Sequence, residues 1–170
     1  MAGISKKDII DRFPSNLNIL VIDTDIEVLE FIEKTYKGSH QVIICTESSR
    51  AVDLLLRKEI DIHLIIMELH MPMMDGYEFL EFLNKEEMDV PLIIMSEKKE
   101  AFQDTKLCIM KAIELGACYN WVKPLTEGYL RTFWVPMLRH YENWHIRKNI
   151  ERSETSYGSE FSSHREADDD

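Results

Sequence analysis

Short apolar runs alternate with amphipathic segments along most of the chain. The runs are rich in β-branched and other apolar residues, as strands are, whereas the segments between them carry apolar residues at helical spacing. The predicted strands are residues 18–22, 41–45, 63–67, 91–95 and 118–122, and the predicted helices are residues 26–36, 49–58, 76–84, 101–115 and 126–140. Five βα units in this order predict an α/β fold, a doubly wound parallel sheet with helices on both faces.

The same pattern gives local detail. The first, third and fourth runs are almost entirely apolar, which predicts central strands buried on both sides. Thr24 followed by Glu27 fits a capping box at the first helix, and Gly116 stands where a helix end needs a left-handed residue. Pro136 lies inside the last helix, where proline costs about 3 kcal/mol, so a kink or break is expected near Phe133.

Length and composition favour one domain. A chain of 170 residues with 45% hydrophobic content can bury one compact core. We expect an N-terminal extension over residues 1–16, the domain over 17–145, and a flexible acidic tail over 146–170, because the tail has too little apolar content to fold.

Charge and residue usage narrow the function classes. The net charge is −11 and the basic residues are scattered, so direct nucleic-acid binding is not expected. The three cysteines show no CxxC spacing, which argues against a zinc site or a disulfide framework. No apolar run reaches the length that spans a bilayer and no apolar signal core is present, so we expect no membrane association and an intracellular location.

Polar residues gather at the carboxyl ends of the predicted strands, where doubly wound sheets carry their functional groups. Each residue alone is weak evidence, because an acid after a strand often caps a helix, a serine often forms a turn, and a lysine before proline is often solvated. Together they form a specific constellation: Asp23, Thr24 and Asp25 after the first strand, Glu68 after the third, Ser96 after the fourth, and Lys123 with Pro124 after the fifth.

Several short motifs add to this constellation. They are Phe13-Pro14, the stretch Met71-Pro72-Met73-Met74-Asp75-Gly76, Asp104-Thr105-Lys106-Leu107, Gly116-Ala117-Cys118, Lys123-Pro124, Leu130 and Trp134. In this order, between residues 17 and 141, the chain resembles the receiver domains of two-component response regulators, in particular plant type-B regulators, whose receivers precede a DNA-binding domain. The resemblance implies a flavodoxin-like (βα)5 receiver fold with strand order 2-1-3-4-5.

The resemblance also implies roles for individual positions. In such receivers the first acidic turn holds magnesium, an aspartate ending the third strand accepts a phosphoryl group, and the strand-four hydroxyl, here Ser96, and the lysine, here Lys123, contact that group. This chain has Glu68 at the acceptor position, Thr24 where a second metal-binding acid is expected, and Asn120 where a switching aromatic is usual. Asp23 remains as a metal ligand. Because magnesium normally uses carboxylates with phosphate oxygens, we expect its binding to be weak or lost, and no cofactor.

The longer side chain of Glu68 carries its carboxylate about 1.5 Å further out, one carbon–carbon bond. There it is positioned to accept hydrogen bonds from Lys123 and Ser96 without a metal, as a partial mimic of a phosphoryl group. We therefore interpret the chain as a pseudo-receiver, a non-enzymatic interaction module. Two alternatives remain open. One is a functional receiver that accepts a phosphoryl group from a histidine phosphotransfer protein; the other, an unrelated enzyme or flavin binder, lacks a glycine-rich loop after the first strand.

Partners and location follow from the resemblance alone. It implies histidine phosphotransfer proteins or other response regulators as partners, in cytokinin signalling and transcription regulation. It also implies a possible homo- or heterodimer through helix 4, strand 5 and helix 5. The expected location is the nucleus, with the cytoplasm as the alternative.

Overall fold

The computed structural model describes residues 15–162 and the isolated positions 5 and 7. Most of the predicted N-terminal extension, and residues 163–170 of the predicted tail, therefore lie outside the described residues. None of the described helices combines the length and hydrophobicity that crossing a bilayer requires.

Five parallel strands form a single sheet. They are β1 (Asn18–Ile22), β2 (Gln41–Cys45), β3 (Leu64–Glu68), β4 (Leu92–Glu97) and β5 (Tyr119–Lys123). Their spatial order is β2-β1-β3-β4-β5, which confirms the predicted fold class and strand order. From β1 the chain runs to β2 on one side, and it then crosses back to place β3, β4 and β5 on the other side. The strand order therefore reverses between β1 and β3. In such sheets this reversal opens a crevice at the carboxyl ends of the strands.

Within the described residues, six helices cover the two faces of the sheet. They are α1 (Ile26–Tyr36), α2 (Ser48–Arg57), α3 (Gly76–Lys85), α4 (Phe102–Glu114), α5 (Glu127–Arg131) and α6 (Trp134–Ser162). The break predicted near Phe133 is confirmed, because α5 and α6 replace one continuous helix. Pro136 falls in the first turn of α6, where its missing N–H has no intrahelical partner to lose. Gly116 has φ +110°, as its predicted position after α4 requires.

Two core layers lie on either side of the sheet. The first face carries α2, α3 and α4, with Phe79 as its largest fully buried side chain. The second face carries α1, α5 and α6, with Phe133 in the corresponding place. Strand β3 is buried along its whole length, and β1 and β4 nearly so, which confirms them as central strands.

The start of α1 corrects one prediction. Asp25, not Thr24, is the N-cap, because its Oδ1 accepts a hydrogen bond from the N–H of Glu27 at 3.0 Å. A side chain that close to the first turn satisfies its amides directly, so Thr24 is left exposed. A capping box does occur at α3, where Asp75 and Glu78 exchange hydrogen bonds.

The end of α6 differs from the flexible tail predicted for residues 146–170, because the helix continues to Ser162. Local bonds replace burial in this segment. Lys148 Nζ lies 3.0 Å from Glu151 Oε2, and the Ser153 hydroxyl donates to the carbonyl of Ile150 at 2.7 Å. Low apolar content prevents a packed core, but it does not prevent a helix whose side chains pair one turn apart.

Candidate functional site

Three of the predicted site residues meet at the carboxyl edge of the sheet. Glu68 ends β3, Lys123 ends β5, and Asp23 directly follows β1. Because the strands are parallel, their carboxyl ends lie at one edge, and residues distant in sequence become neighbours there. All three are buried, with exposed fractions of 1% for Asp23, 5% for Glu68 and 8% for Lys123.

The three side chains form an ion-paired cluster, which we call the carboxylate–lysine triad (Asp23, Glu68 and Lys123). Lys123 Nζ lies 2.6 Å from Glu68 Oε2 and 2.8 Å from Asp23 Oδ2. The contact with Asp23 is a well-formed hydrogen bond, whereas the contact with Glu68 is an ion pair outside hydrogen-bond angles. Glu68 therefore lies against Lys123 as predicted, but as an ion pair and not as the predicted hydrogen bond.

The remaining carboxylate oxygens of the triad also contact protein donors. Asp23 Oδ1 accepts from the N–H of Asp25 at 3.0 Å, and Glu68 Oε1 accepts from the N–H of His70 at 3.2 Å. All four carboxylate oxygens therefore face a backbone amide or the Lys123 ammonium. Two carboxylates and one ammonium leave the triad with one net negative charge.

The surroundings of Lys123 fix its protonation state. Burial alone lowers the pKa of a lysine, but the hydrogen bond to Asp23 and the negative charges of Asp23 and Glu68 outweigh it, so the pKa of Lys123 is raised above its usual value. Glu97 lies further away, with Oε1 at 3.9 Å, and is mostly exposed. Lys123 is therefore a permanent cation at physiological pH.

Ser96 and Asn120 form a second buried pair, separate from the triad. Asn120 Nδ2 donates to Ser96 Oγ at 3.1 Å, and both residues are more than nine-tenths buried. Within the described part of the chain no hydrogen bond joins Ser96 to Glu68, so that predicted contact was wrong. Asn120 Oδ1 is buried and has no hydrogen-bond partner among the described residues.

Strand alternation explains this separation. Glu68 lies opposite Met95, so the next residue, Ser96, points to the other face of the sheet. Ser96 lies opposite Val122 of β5. Asn120 comes two residues before Val122, so it lies on the same face of the sheet as Ser96. The sequence alone could have predicted the separation, because alternate residues of a strand point to opposite faces of the sheet. The triad belongs to the second face and the Ser96–Asn120 pair to the first.

The other two residues of the acidic turn do not enter the triad. Thr24 and Asp25 are exposed, and the Asp25 carboxylate is used to cap α1, as expected from its position near the helix start. No group of three or more His, Cys, Asp or Glu side chains is arranged to hold a metal ion in the region that the structure describes.

A second feature is an exposed apolar surface beside the site, which we call the α4–β5–α6 face. Helix α4 buries only Ala112 among its thirteen residues, so much of its apolar surface meets solvent. Phe102 is 77% exposed, Leu107 62% and Val135 of α6 61%. The surface is completed by Met110, Ile113 and Tyr119, and Trp121 stacks on Tyr129 beside it with ring centroids 6.2 Å apart. Exposed apolar side chains gathered on neighbouring elements typically mark an interaction site.

Comparison with known proteins shows the family to which the chain belongs. The family model described as the response regulator receiver domain matches residues 19–133. The two-component response regulator ARR14 of Arabidopsis thaliana is 34% identical over 130 residues, which cover 76% of this chain and 33% of that protein. ARR2 of the same plant is 31% identical over 141 residues, covering 82% of this chain and 20% of ARR2. The chain thus spans a third or less of the length of these relatives.

Solved structures agree on the fold. A receiver domain protein from Clostridium thermocellum superposes with a TM-score of 0.61 at 20% identity, covering 76% of this chain and 98% of that one. Full-length FixJ from B. japonicum superposes with a TM-score of 0.66 at 20% identity, covering 82% of this chain and 66% of FixJ. At such identities the likeness concerns the fold alone.

Proposed function

Because this chain belongs to the response regulator receiver family, we propose that it is a pseudo-receiver of a plant-type phosphorelay, which signals by protein–protein contact. The observation that carries the proposal is the carboxylate–lysine triad. Glu68 stands at the position where the family has its phosphoacceptor aspartate, and its carboxylate is already neutralised by Lys123 at 2.6 Å.

The triad disfavours phosphoryl transfer for two reasons. Transfer depends on a nucleophile held in line with the phosphodonor and on cations that offset the developing charge. Glu68 is held instead by Lys123 and by the amide of His70. Its extra methylene also displaces the carboxylate from where an aspartate would present it.

The donor set also fits magnesium poorly. Magnesium demands near-octahedral oxygen ligands and gives up its waters reluctantly. In this chain the carboxylate oxygens of Asp23 and Glu68 already face Lys123 or backbone amides, and exposed Thr24 offers a neutral hydroxyl where the family has an acid. We propose that the protein works without a cofactor, with the Lys123 ammonium as the cation of the site.

The ion pairs of the triad hold the site in one arrangement. Glu68 supplies one negative charge, whereas a phosphorylated side chain carries nearly two, so the mimicry is partial. Ser96, which would contact a phosphoryl group in the family, is held by Asn120 on the other face of the sheet. The triad and the Ser96–Asn120 pair therefore share no contact. We propose that the protein signals through the partners that its single state binds.

The α4–β5–α6 face is the surface we assign to those partners. Its exposed apolar side chains suit histidine phosphotransfer proteins or other response regulators, and a homo- or heterodimer is the expected assembly. With such partners the chain would tune hormone-dependent transcription, and the proposed location is the nucleus.

The test is intact-mass detection of a phosphoryl adduct after incubation with magnesium and either acetyl phosphate or a phosphorylated histidine phosphotransfer protein. Four proteins are compared: wild type, Glu68→Asp, Glu68→Asp with Thr24→Asp, and the control Glu97→Asp, which changes an exposed acid beside the site. We expect an adduct only in the variant that restores both acids.

Other outcomes separate the alternatives. An adduct of 80 Da, roughly one phosphoryl group, on the wild type would overturn the proposal and identify a functional receiver that uses an altered acceptor. An adduct on Glu68→Asp alone would show that Thr24 does not impair metal binding. If even the double variant stays unmodified, the loss of transfer has a cause outside these two positions.

A further inference from the structure

A cavity of about 500 Å³ lies at the amino end of β5, between helices α3, α4 and α6. It is remote from the carboxylate–lysine triad, which occupies the opposite ends of the strands. Pockets for small molecules typically measure about 300–1,000 Å³, so its size is sufficient for a ligand. Two of its lining residues, Ile113 and Tyr119, also belong to the α4–β5–α6 face, but the triad gives the cavity itself no role.

One wall of the cavity is apolar. Leu80 and Leu83 of α3 are almost completely buried, and Ile113 of α4 faces them across the cavity. Asn120 of β5 also lines it, and the Oδ1 atom of Asn120 is the buried acceptor that has no partner in the described part of the chain. That atom is closed to solvent, so it does not face an occupant of the cavity, and the chemical selectivity of the cavity must come from its charged wall.

The opposite wall is cationic. Arg139, Asn143 and Arg147 recur one helical turn apart on α6 and all line the cavity. No salt bridge joins Arg139 or Arg147 to any residue that the structure describes. The third basic group, His140, is already paired, with Nε2 2.8 Å from Asp89 Oδ1. In a chain with a net charge of −11, two unpaired arginines beside an apolar cavity form a local site for an anion.

We propose that this cavity binds a small amphipathic anion. The apolar body of the ligand packs against Leu80, Leu83 and Ile113, and its acidic group is held by Arg139 and Arg147. A carboxylate or a sulfonate carried on an apolar body matches both the arginines and the apolar wall. The proposal does not depend on the role of Glu68.

The probe is 1-anilinonaphthalene-8-sulfonate, an aromatic sulfonate with one N–H. Its fluorescence is titrated against the full chain, in parallel with N-phenyl-1-naphthylamine, which has the same aromatic body and N–H but no negative charge. We expect the sulfonate to bind about tenfold or more tightly than the neutral amine. Arg139→Ala with Arg147→Ala should remove that difference, whereas Arg131→Ala, on the neighbouring helix α5, should leave it intact.

A matched pair of variants on α4 separates the cavity from the exposed face of the same helix. Ile113→Glu places a carboxylate in the cavity wall and should abolish sulfonate binding. Leu107→Glu places the same group outside the cavity and should have no effect. Both positions are substantially exposed, so both variants are expected to fold, which thermal unfolding checks.

Three outcomes would overturn the proposal. Equal affinity for the sulfonate and the amine would show that no anion is selected. Loss of binding in Leu107→Glu but not in Ile113→Glu would place the probe on the exposed surface around Leu107, outside the cavity. No binding to the wild type at millimolar probe would show that the cavity holds only water.

Discussion

The carboxyl end of the sheet and the α4–β5–α6 face lie side by side but differ in composition and burial. In the carboxylate–lysine triad every charge is buried, and every carboxylate oxygen faces a donor. On the neighbouring face, α4 buries one residue and exposes apolar side chains such as Phe102 and Leu107. The site is saturated by contacts within the chain, whereas the face still has surface to bury.

This difference suggests where binding free energy is available. A saturated ion cluster gains little from a new ligand, because the ligand must first displace contacts that are already made. An exposed apolar surface gains from any partner that removes it from water, at about 25 cal/mol per Å². We therefore expect substitutions at the triad to change stability, and substitutions on the face to change association.

The largest effect is expected from Lys123→Met. This change leaves the carboxylates of Asp23 and Glu68 buried without a counterion, and breaking a buried pair in this way typically costs about 3–5 kcal/mol. Urea denaturation measures the free energy of unfolding. The control Lys98→Met, which removes an exposed lysine, should stay within about 0.5 kcal/mol of wild type.

The dependence on pH sharpens the same prediction. The pKa of Lys123 is raised in the folded state, so its stabilisation is complete below about pH 10.5, the ordinary lysine value, and is lost as the pH rises through the higher folded-state pKa. As the pH is raised, the difference in unfolding free energy between wild type and Lys123→Met should therefore shrink only in that alkaline range. A difference that already falls as the pH rises from about 8 to about 10, below the ordinary lysine value, would contradict a buried, doubly paired ammonium.

A smaller effect is expected from Ser96→Ala. It leaves Asn120 Nδ2 buried without its acceptor, which should cost about 1–3 kcal/mol. Adding Asn120→Leu removes the amide that has lost its acceptor, so the double variant should regain much of the lost free energy of unfolding. A double-mutant cycle by chemical denaturation measures the coupling, with exposed Ser39→Ala as the control. Additive effects would mean that the two side chains do not interact.

The smallest effect on stability, below about 0.5 kcal/mol, is expected from Leu107→Glu with Met110→Glu. Both side chains are exposed, so the loss should appear in association, as affinity weakened by about tenfold or more. Sedimentation equilibrium measures self-association, and titration calorimetry measures binding to a histidine phosphotransfer protein. The control Leu56→Glu with Ile60→Glu adds the same charges near the opposite edge of the sheet. Equal weakening by both pairs would move the interface away from the α4–β5–α6 face.

Much of the fold could be predicted because strand length and helix period are local properties. The observed bounds of β1 and β2 are the predicted ones, since polar residues close both runs. The later strands extend further than predicted, to Glu68, Glu97 and Lys123. Backbone pairing does not require an apolar side chain, so polar site residues continue the strands that present them.

The site was only partly predictable. Spacing placed Asp23, Glu68 and Lys123 at one edge, but the contact expected between Ser96 and Glu68 ignored the alternation that sends them to different faces. Choosing Thr24 as the cap of α1 failed for a similar reason, because a one-residue difference decides which side chain reaches the first amides.

The helix beyond the domain has a mechanical consequence. Helix α6 rises about 1.5 Å per residue, so the part that follows Arg147 projects roughly 22 Å. Its other end is anchored in the core by Phe133 and Met137. A straight helix of that length acts as a lever, because a tilt of about 10° at Arg147 would move the helix end by about 4 Å. A packing adjustment too small to alter the core would thus be magnified into a displacement that a bound neighbour could register.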